Sequence, residues 1–174
     1  MWKTLRQIAR VGIATEPAPG SDETLRVRHA LQEQILAIVG RALCIRHVDA
    51  GSCNGCELEI HALNNPIYNI EGLGIKFVAS PRHADLLLVT GPVARNMELA
   101  LRRTYDATPD PKLVVAIGDC GCTGGIFGAN YASVGAVSNV VPVDVAVPGC
   151  PPSPQQILSG ILTAISVPHA LAAR

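Results

Sequence analysis

Aromatic side chains are nearly absent from this sequence: one Trp, three Tyr and two Phe make up 3% of its 174 residues. So few rings build no base-stacking platform, and 14 Lys+Arg balanced by 14 Asp+Glu leave no basic stripe, which excludes nucleic acid as an expected partner. Charge of either sign is scarce as well, at 16% against the ~25% usual in soluble domains. With 48% hydrophobic residues, that scarcity excludes a disordered or heavily solvated chain. Long apolar runs are also missing. The best window, residues 157–173, is interrupted by Ser, Gly, Thr, Pro and His and lacks the ~18 unbroken apolar residues of a transmembrane helix. The opening MWKTLRQIAR has no unbroken apolar stretch, small-residue cleavage site or arginine pair, so no export signal is expected. No internal repeat or low-complexity tract is visible.

At 174 residues the chain is long enough for one domain with a real core and too short for a second large one. Residues 1–12 read as an amphipathic helix with Trp2, Leu5 and Ile8 on one face and Lys3, Arg6 and Arg10 around it. A Pro/Gly linker, ATEPAPGSD, follows, and Ser21 or Asp22 then caps a second helix that runs to about Val39 and is stopped by Gly40. Beyond it, residues 42–48, 75–79, 85–90 and 113–117 read as short strands buried on both faces, and 143–147 as a fifth. Helices are expected at about 55–63, 97–105 and 153–165, the last with Ser153 as N-cap and Pro154 at its first position. Alternating strands and helices imply a mostly parallel, three-layer α/β sheet, which binds ligands at the carboxyl ends of its strands. The expected organisation is an N-terminal docking segment of helices and linker (1–41), the α/β domain (42–167) and a tail (168–174).

What the chain does have is 16 Gly, 13 Pro and six Cys, clustered where strands end. Cys53-Asn54-Gly55-Cys56 follows the first strand, Gly118-Asp119-Cys120-Gly121-Cys122 follows the fourth, and Pro148-Gly149-Cys150-Pro151-Pro152 follows the fifth. In a parallel sheet these ends share one edge, so Cys53, Cys56, Cys120 and Cys150 can converge from far apart in sequence. Four thiolates in one place suit a [4Fe–4S] cluster, one sulfur per iron, and the glycines let backbone amides approach it. A zinc site or a thioredoxin-like dithiol stays open as an alternative. Structural zinc usually takes two close pairs, whereas Cys120 and Cys150 are singles, and a dithiol needs no such companions. Cys44 reads as a small core residue. Cys122 reads as a bystander thiol that could also substitute for Cys120.

On these motifs the sequence resembles the family uniting small subunits of [NiFe] hydrogenases with the 20 kDa cluster-bearing subunit of respiratory complex I. The resemblance covers about residues 42–165. It rests on the C-x-x-C-E of Cys53–Glu57, the C-x-x-x-G-G turn of Cys120 to Gly125, and Val147-Pro148-Gly149-Cys150-Pro151-Pro152. Ser80-Pro81-Arg82-His83-Ala84-Asp85, Thr90-Gly91-Pro92 and Val141-Pro142-Val143-Asp144 add to it. The resemblance implies a flavodoxin-like fold with helices on both faces of the sheet and one [4Fe–4S] cluster, held by Cys53, Cys56, Cys120 and Cys150 at the carboxyl ends of the strands. It also implies an electron-relay role beside a NiFe-bearing large subunit, with a ferredoxin-like iron–sulfur subunit and membrane subunits as further partners. The location implied is peripheral, on the cytoplasmic face of the cell membrane. The C-N-G-C spacing, where the complex I subunit has adjacent cysteines, favours the hydrogenase side, of the formate hydrogenlyase or energy-converting type. A complex I-type subunit passing electrons to quinone is the alternative.

Other residues carry weaker signals. Glu57 and Glu59 open the helix after Cys56, where negative charge suits the positive helix end, and a role in proton transfer or at the large-subunit interface stands beside that reading. Asp119 is read as capping its turn, with tuning of the cluster potential as the sharper alternative. Arg82 and His83 are placed at the end of their strand away from the cysteines, and His47 is read as a satisfied strand residue.

Overall fold

The computed structural model describes residues 2–11, 32, 33, 35–37 and 40–166. The sequence-predicted linker, the cap at Ser21 or Asp22, and the C-terminal tail lie outside the described residues. The elements are α1 (Trp2–Val11), β1 (Leu43–Asp49), α2 (Gly55–Ala62), β2 (Ile75–Phe77), β3 (Leu86–Thr90), β4 (Val93–Ala94), α3 (Arg95–Ala107), β5 (Leu113–Ile117), α4 (Gly118–Thr123), β6 (Ser133–Gly135), β7 (Val145–Val147) and α5 (Pro154–Ser166).

Five strands form one sheet in the order β2-β1-β3-β5-β7, every pair parallel. Counted in chain order this is 2-1-3-4-5, the flavodoxin-like order, whose direction of winding reverses between β1 and β3. β3 and β5 sit in the middle and are buried at every position. Burial on both faces fails for β2 at one edge and β7 at the other, and for part of β1, because only the central strands are covered on all sides.

Alternation along the strands splits the interior into two layers. Leu43, Ile45, Leu86, Leu88 and Val115 face Ile60 of α2 and Ile157 and Ile161 of α5, and Ile35 from the N-terminal segment is buried in the same layer. Leu87, Val89, Val114 and Ala116 face Leu101 of α3 on the other side. A fully buried leucine or isoleucine contributes about 1.5–3 kcal/mol, so these two layers hold the helices against the sheet. At α5 the sequence acts locally: Ser153 Oγ accepts from the Gln156 amide at 3.4 Å while Gln156 Oε1 accepts from the Ser153 amide at 2.8 Å, a capping box ahead of Pro154.

Two motifs of the resemblance turn out to pin strands at the edge opposite the cysteines. The buried Asp85 accepts from the Cys44 amide at 3.0 Å and pairs with Arg41 at 2.6 Å. Asp144 accepts from the Val114 amide at 2.7 Å. Arg82 and His83, exposed just before β3, lie at that same edge.

Candidate metal centre

Three loops leave the carboxyl edge of the sheet, and each is shaped before it delivers its thiol. After β1, Asp49 Oδ1 accepts from the amides of Gly51 and Ser52, both at 2.8 Å, which turns the chain toward Cys53. α2 then starts at Gly55 and buries Cys56 in the core layer. After β5 the chain coils directly into α4, a helix that takes in the first part of the turn expected from Cys120 to Gly125. Its glycines and small polar residues have poor helix propensity, so tertiary bonds hold it. Asp119 supplies two of them: its amide donates to Gly149 O and its Oδ1 accepts from the Gly149 amide, each at 2.8 Å. Asp119 therefore ties the Cys120 loop to the Cys150 loop across 30 residues, a role that neither turn capping nor potential tuning anticipated.

The cysteine-bearing loops lie against one another at this edge. A methyl group at Gly118, where φ is +81°, would lie 2.7 Å from Cys56 Sγ and 3.4 Å from Gly149 O. One at Gly55 would lie 3.5 Å from Cys53 Sγ and 4.0 Å from Pro151. Burial, then Glu57, then the thiols of Cys53, Cys120 and Cys150 push Cys56 up to about 12. Burial, then Cys150, Cys53 and Asp119 push Cys120 up as well. The shifts hold Cys56 and Cys120 as neutral thiols, and a cationic centre is what would turn such groups into thiolate ligands. Cys53 and Cys150 are exposed and Cys56 is buried, so the site is half sunk into the edge. Among the described residues no three His, Cys, Asp or Glu side chains gather closely enough to hold one metal ion.

The other two cysteines are placed apart. Cys122 Sγ lies 3.7 Å from Ala116 O, and burial raises its pKa. Cys44 is half-buried at the far end of β1 with Sγ 3.7 Å from Ala42 O, which corrects its reading as a core residue. It precedes the carboxyl edge by the length of the strand.

Glu57 departs from a simple helix-dipole role. Its side chain is almost fully buried, both oxygens lack a hydrogen-bond partner, and His47 Nε2 is 3.7 Å from Oε1. Sequence reasoning noted the residue but not its burial, because its α2 is packed against the sheet on the side from which Glu57 projects. His47 meets Thr90 Oγ1 at 3.1 Å. Glu59 is half-buried on the same helix.

Fold and loops together define a flavodoxin-like α/β protein whose cysteine-bearing loops leave the carboxyl edge of its sheet. The chain belongs to the NADH ubiquinone oxidoreductase 20 kDa subunit family, whose pattern matches residues 53–164. It is 46% identical over 132 residues to a probable membrane-bound hydrogenase subunit mbhJ of Pyrococcus furiosus, covering 76% of this chain and 79% of that one. Formate hydrogenlyase subunit 7 of Escherichia coli is 44% identical over 79% of this chain, which spans 54% of that relative's length. An NADH-quinone oxidoreductase subunit of Desulfovibrio desulfuricans is 44% identical over 71% of this chain and 66% of its own. A chain of the archaeal membrane-bound sulfane sulfur reductase superposes with a TM-score of 0.64 at 32% identity, covering 85% of this chain and 78% of that one. These relatives are subunits of oxidoreductase complexes, and this chain is an oxidoreductase subunit of the same family. Among the described residues no helix is long and apolar enough to cross a membrane.

Proposed function

We propose that this chain is the electron-transfer small subunit of a membrane-associated hydrogenase-type complex, with one [4Fe–4S] cluster held by Cys53, Cys56, Cys120 and Cys150. The observation that supports this reading is that three strand ends at one sheet edge carry the four cysteines, with the Cys120 and Cys150 loops tied through Asp119 and Gly149. The donor set fits the group: four cysteine sulfurs on loops of one edge, and a methyl-free Gly118 against Cys56 Sγ.

A bound cluster supplies one-electron transfer. The chain's own part is to hold the thiols, shield one side with core, and leave Cys53 and Cys150 on the accessible side, toward a NiFe-bearing large subunit. A ferredoxin-like iron–sulfur subunit and membrane subunits complete the assembly, on the cytoplasmic face of the membrane. The exposed Trp2 and Leu5 of α1, beside Lys3, Arg6 and Arg10, support peripheral docking there. Similarity at 44% identity to the NADH-quinone oxidoreductase relative favours a second reading, a complex I-type subunit delivering electrons to quinone.

The test is anaerobic purification with metal and sulfide analysis. About four iron and four sulfide per chain, lost or converted on Ser replacement of any one of the four cysteines, is the expected result. Zinc without iron refutes it. A copurifying large subunit with two C-x-x-C pairs for nickel selects the hydrogenase reading over the quinone one.

A further inference from the structure

Beside the thiol edge an open cavity of about 250 Å³ lies between α2 and the β1–β2 side of the sheet, with His47, Glu57, Ile60, His61, Asn64 and Phe77 among its walls. The Glu57 side chain is only 8% exposed, and neither carboxylate oxygen has a hydrogen-bond partner. Interiors seldom keep such a group unpaired, because desolvating a carboxylate without a donor is costly. His47 does not supply the missing charge. Its Nε2 is 3.1 Å from Thr90 Oγ1, and burial pulls its pKa below the ordinary value, so the ring is neutral near pH 7. Arg46 also borders the cavity and its charge reaches His47, but it forms no ion pair or hydrogen bond with Glu57, whose two oxygens stay without a partner.

We propose that this cavity receives the side chain of an arginine or lysine from a neighbouring subunit, whose N–H groups pair with Glu57. This rests on the reading of the chain as one subunit of a complex. The cavity suits that occupant in three respects. Its single acid is buried, apolar Ile60 and Phe77 among its walls can pack a methylene stem, and the cavity is open to solvent. An arginine fork satisfies both orphaned oxygens at once. Glu57 also follows Cys56 directly and precedes Leu58, which is 61% exposed, so the cavity adjoins the edge that a redox partner must approach.

The experiment uses the complex purified with its cognate subunits. A photoreactive residue at the cavity wall, His61→p-benzoylphenylalanine, is expected to crosslink to a neighbouring-subunit peptide containing Arg or Lys. Glu57→Gln is expected to speed dissociation of that subunit at least ~10-fold, as for loss of one member of a desolvated ion pair, with iron content and cluster spectrum unchanged. Glu57→Asp is expected to recover part of the loss. An intact complex whose dissociation is indifferent to Glu57→Gln, or crosslinks confined to this chain, overturns the proposal and leaves the electron-transfer reading standing. A native protein purified with no neighbouring subunit overturns both.

Discussion

Gly118 separates packing against the thiol centre from backbone strain in one substitution. Gly118→Ala adds a methyl 2.7 Å from Cys56 Sγ at a residue whose φ is +81°. The left-handed backbone alone costs a non-glycine residue roughly 1–2 kcal/mol. Overpacking against the thiol and the Gly149 carbonyl adds roughly 1–3 kcal/mol, for a total of about 2–5 kcal/mol. Relief requires the sulfur to retreat from 2.7 Å to at least 3.4 Å, the near limit of ordinary contact. A functional constellation tolerates only ~0.5 Å of such displacement, so cluster occupancy is expected to fall along with stability. Gly128→Ala is the matched control: φ is +55° there, but nothing lies within 4 Å of the added methyl. It is expected to lose about 1–2 kcal/mol of stability and keep its iron. Urea denaturation and iron analysis of both proteins make the comparison. A Gly118→Ala protein with full iron content and an unaltered cluster spectrum refutes the reasoning, whatever its stability.

Asp119→Ala orphans the Gly149 amide and is expected to cost about 1–3 kcal/mol and to hasten cluster loss to a chelator, while Asp119→Asn, which keeps an acceptor, stays close to the parent. Cys122→Ala is expected to retain the cluster and Cys120→Ser to lose it; the reverse pattern in iron analysis makes Cys122 the ligand. His47 has a folded pKa below its unfolded value, so between the two the unfolded chain binds more protons. Stability is then greatest above the unfolded pKa and falls as pH drops through that value toward the folded one. Denaturation midpoints measured from about pH 7.5 down to about pH 5 are expected to slope less in His47→Gln than in the parent. Removing residues 1–12 is expected to leave the cluster spectrum intact and weaken membrane association of the complex, measured by flotation.

The sheet was legible because buried parallel strands leave continuous apolar runs, and 113–117 appears with the same bounds in the structure. α3 and α5 appear within two residues of expectation at each end, the latter because Ser153 and Pro154 punctuate it. The antiparallel pair β4–β6 was not legible, since strands of two and three residues carry no period to read. α4 was hidden for a different reason. Gly118, Cys120 and Gly121 disfavour a helix locally, and the bonds that impose it come from Gly149, which no local pattern reveals. The thiol set was visible through repetition of one device, strand then glycine then cysteine, whereas the burial of Glu57 depends on which face of α2 meets the sheet.

The half-sunk position of the centre has an energetic consequence. On the core side, Cys56 is already dry and its surroundings are fixed. On the open side Cys53 and Cys150 remain wetted until something covers them. Beyond Gly125 the chain carries Ile126 and Tyr131, each 94% exposed, with half-exposed Phe127 between them. Apolar side chains displayed this fully are suited to burial against a partner. With the proposed cluster in place, docking there would withdraw water from Cys53 and Cys150, and solvent exposure is one of the determinants of an iron–sulfur potential. Partner association and redox potential would then, with the proposed cluster bound, be coupled through the same edge. A difference in midpoint potential between isolated subunit and complex is the expected sign, and identical potentials in the two states contradict that coupling.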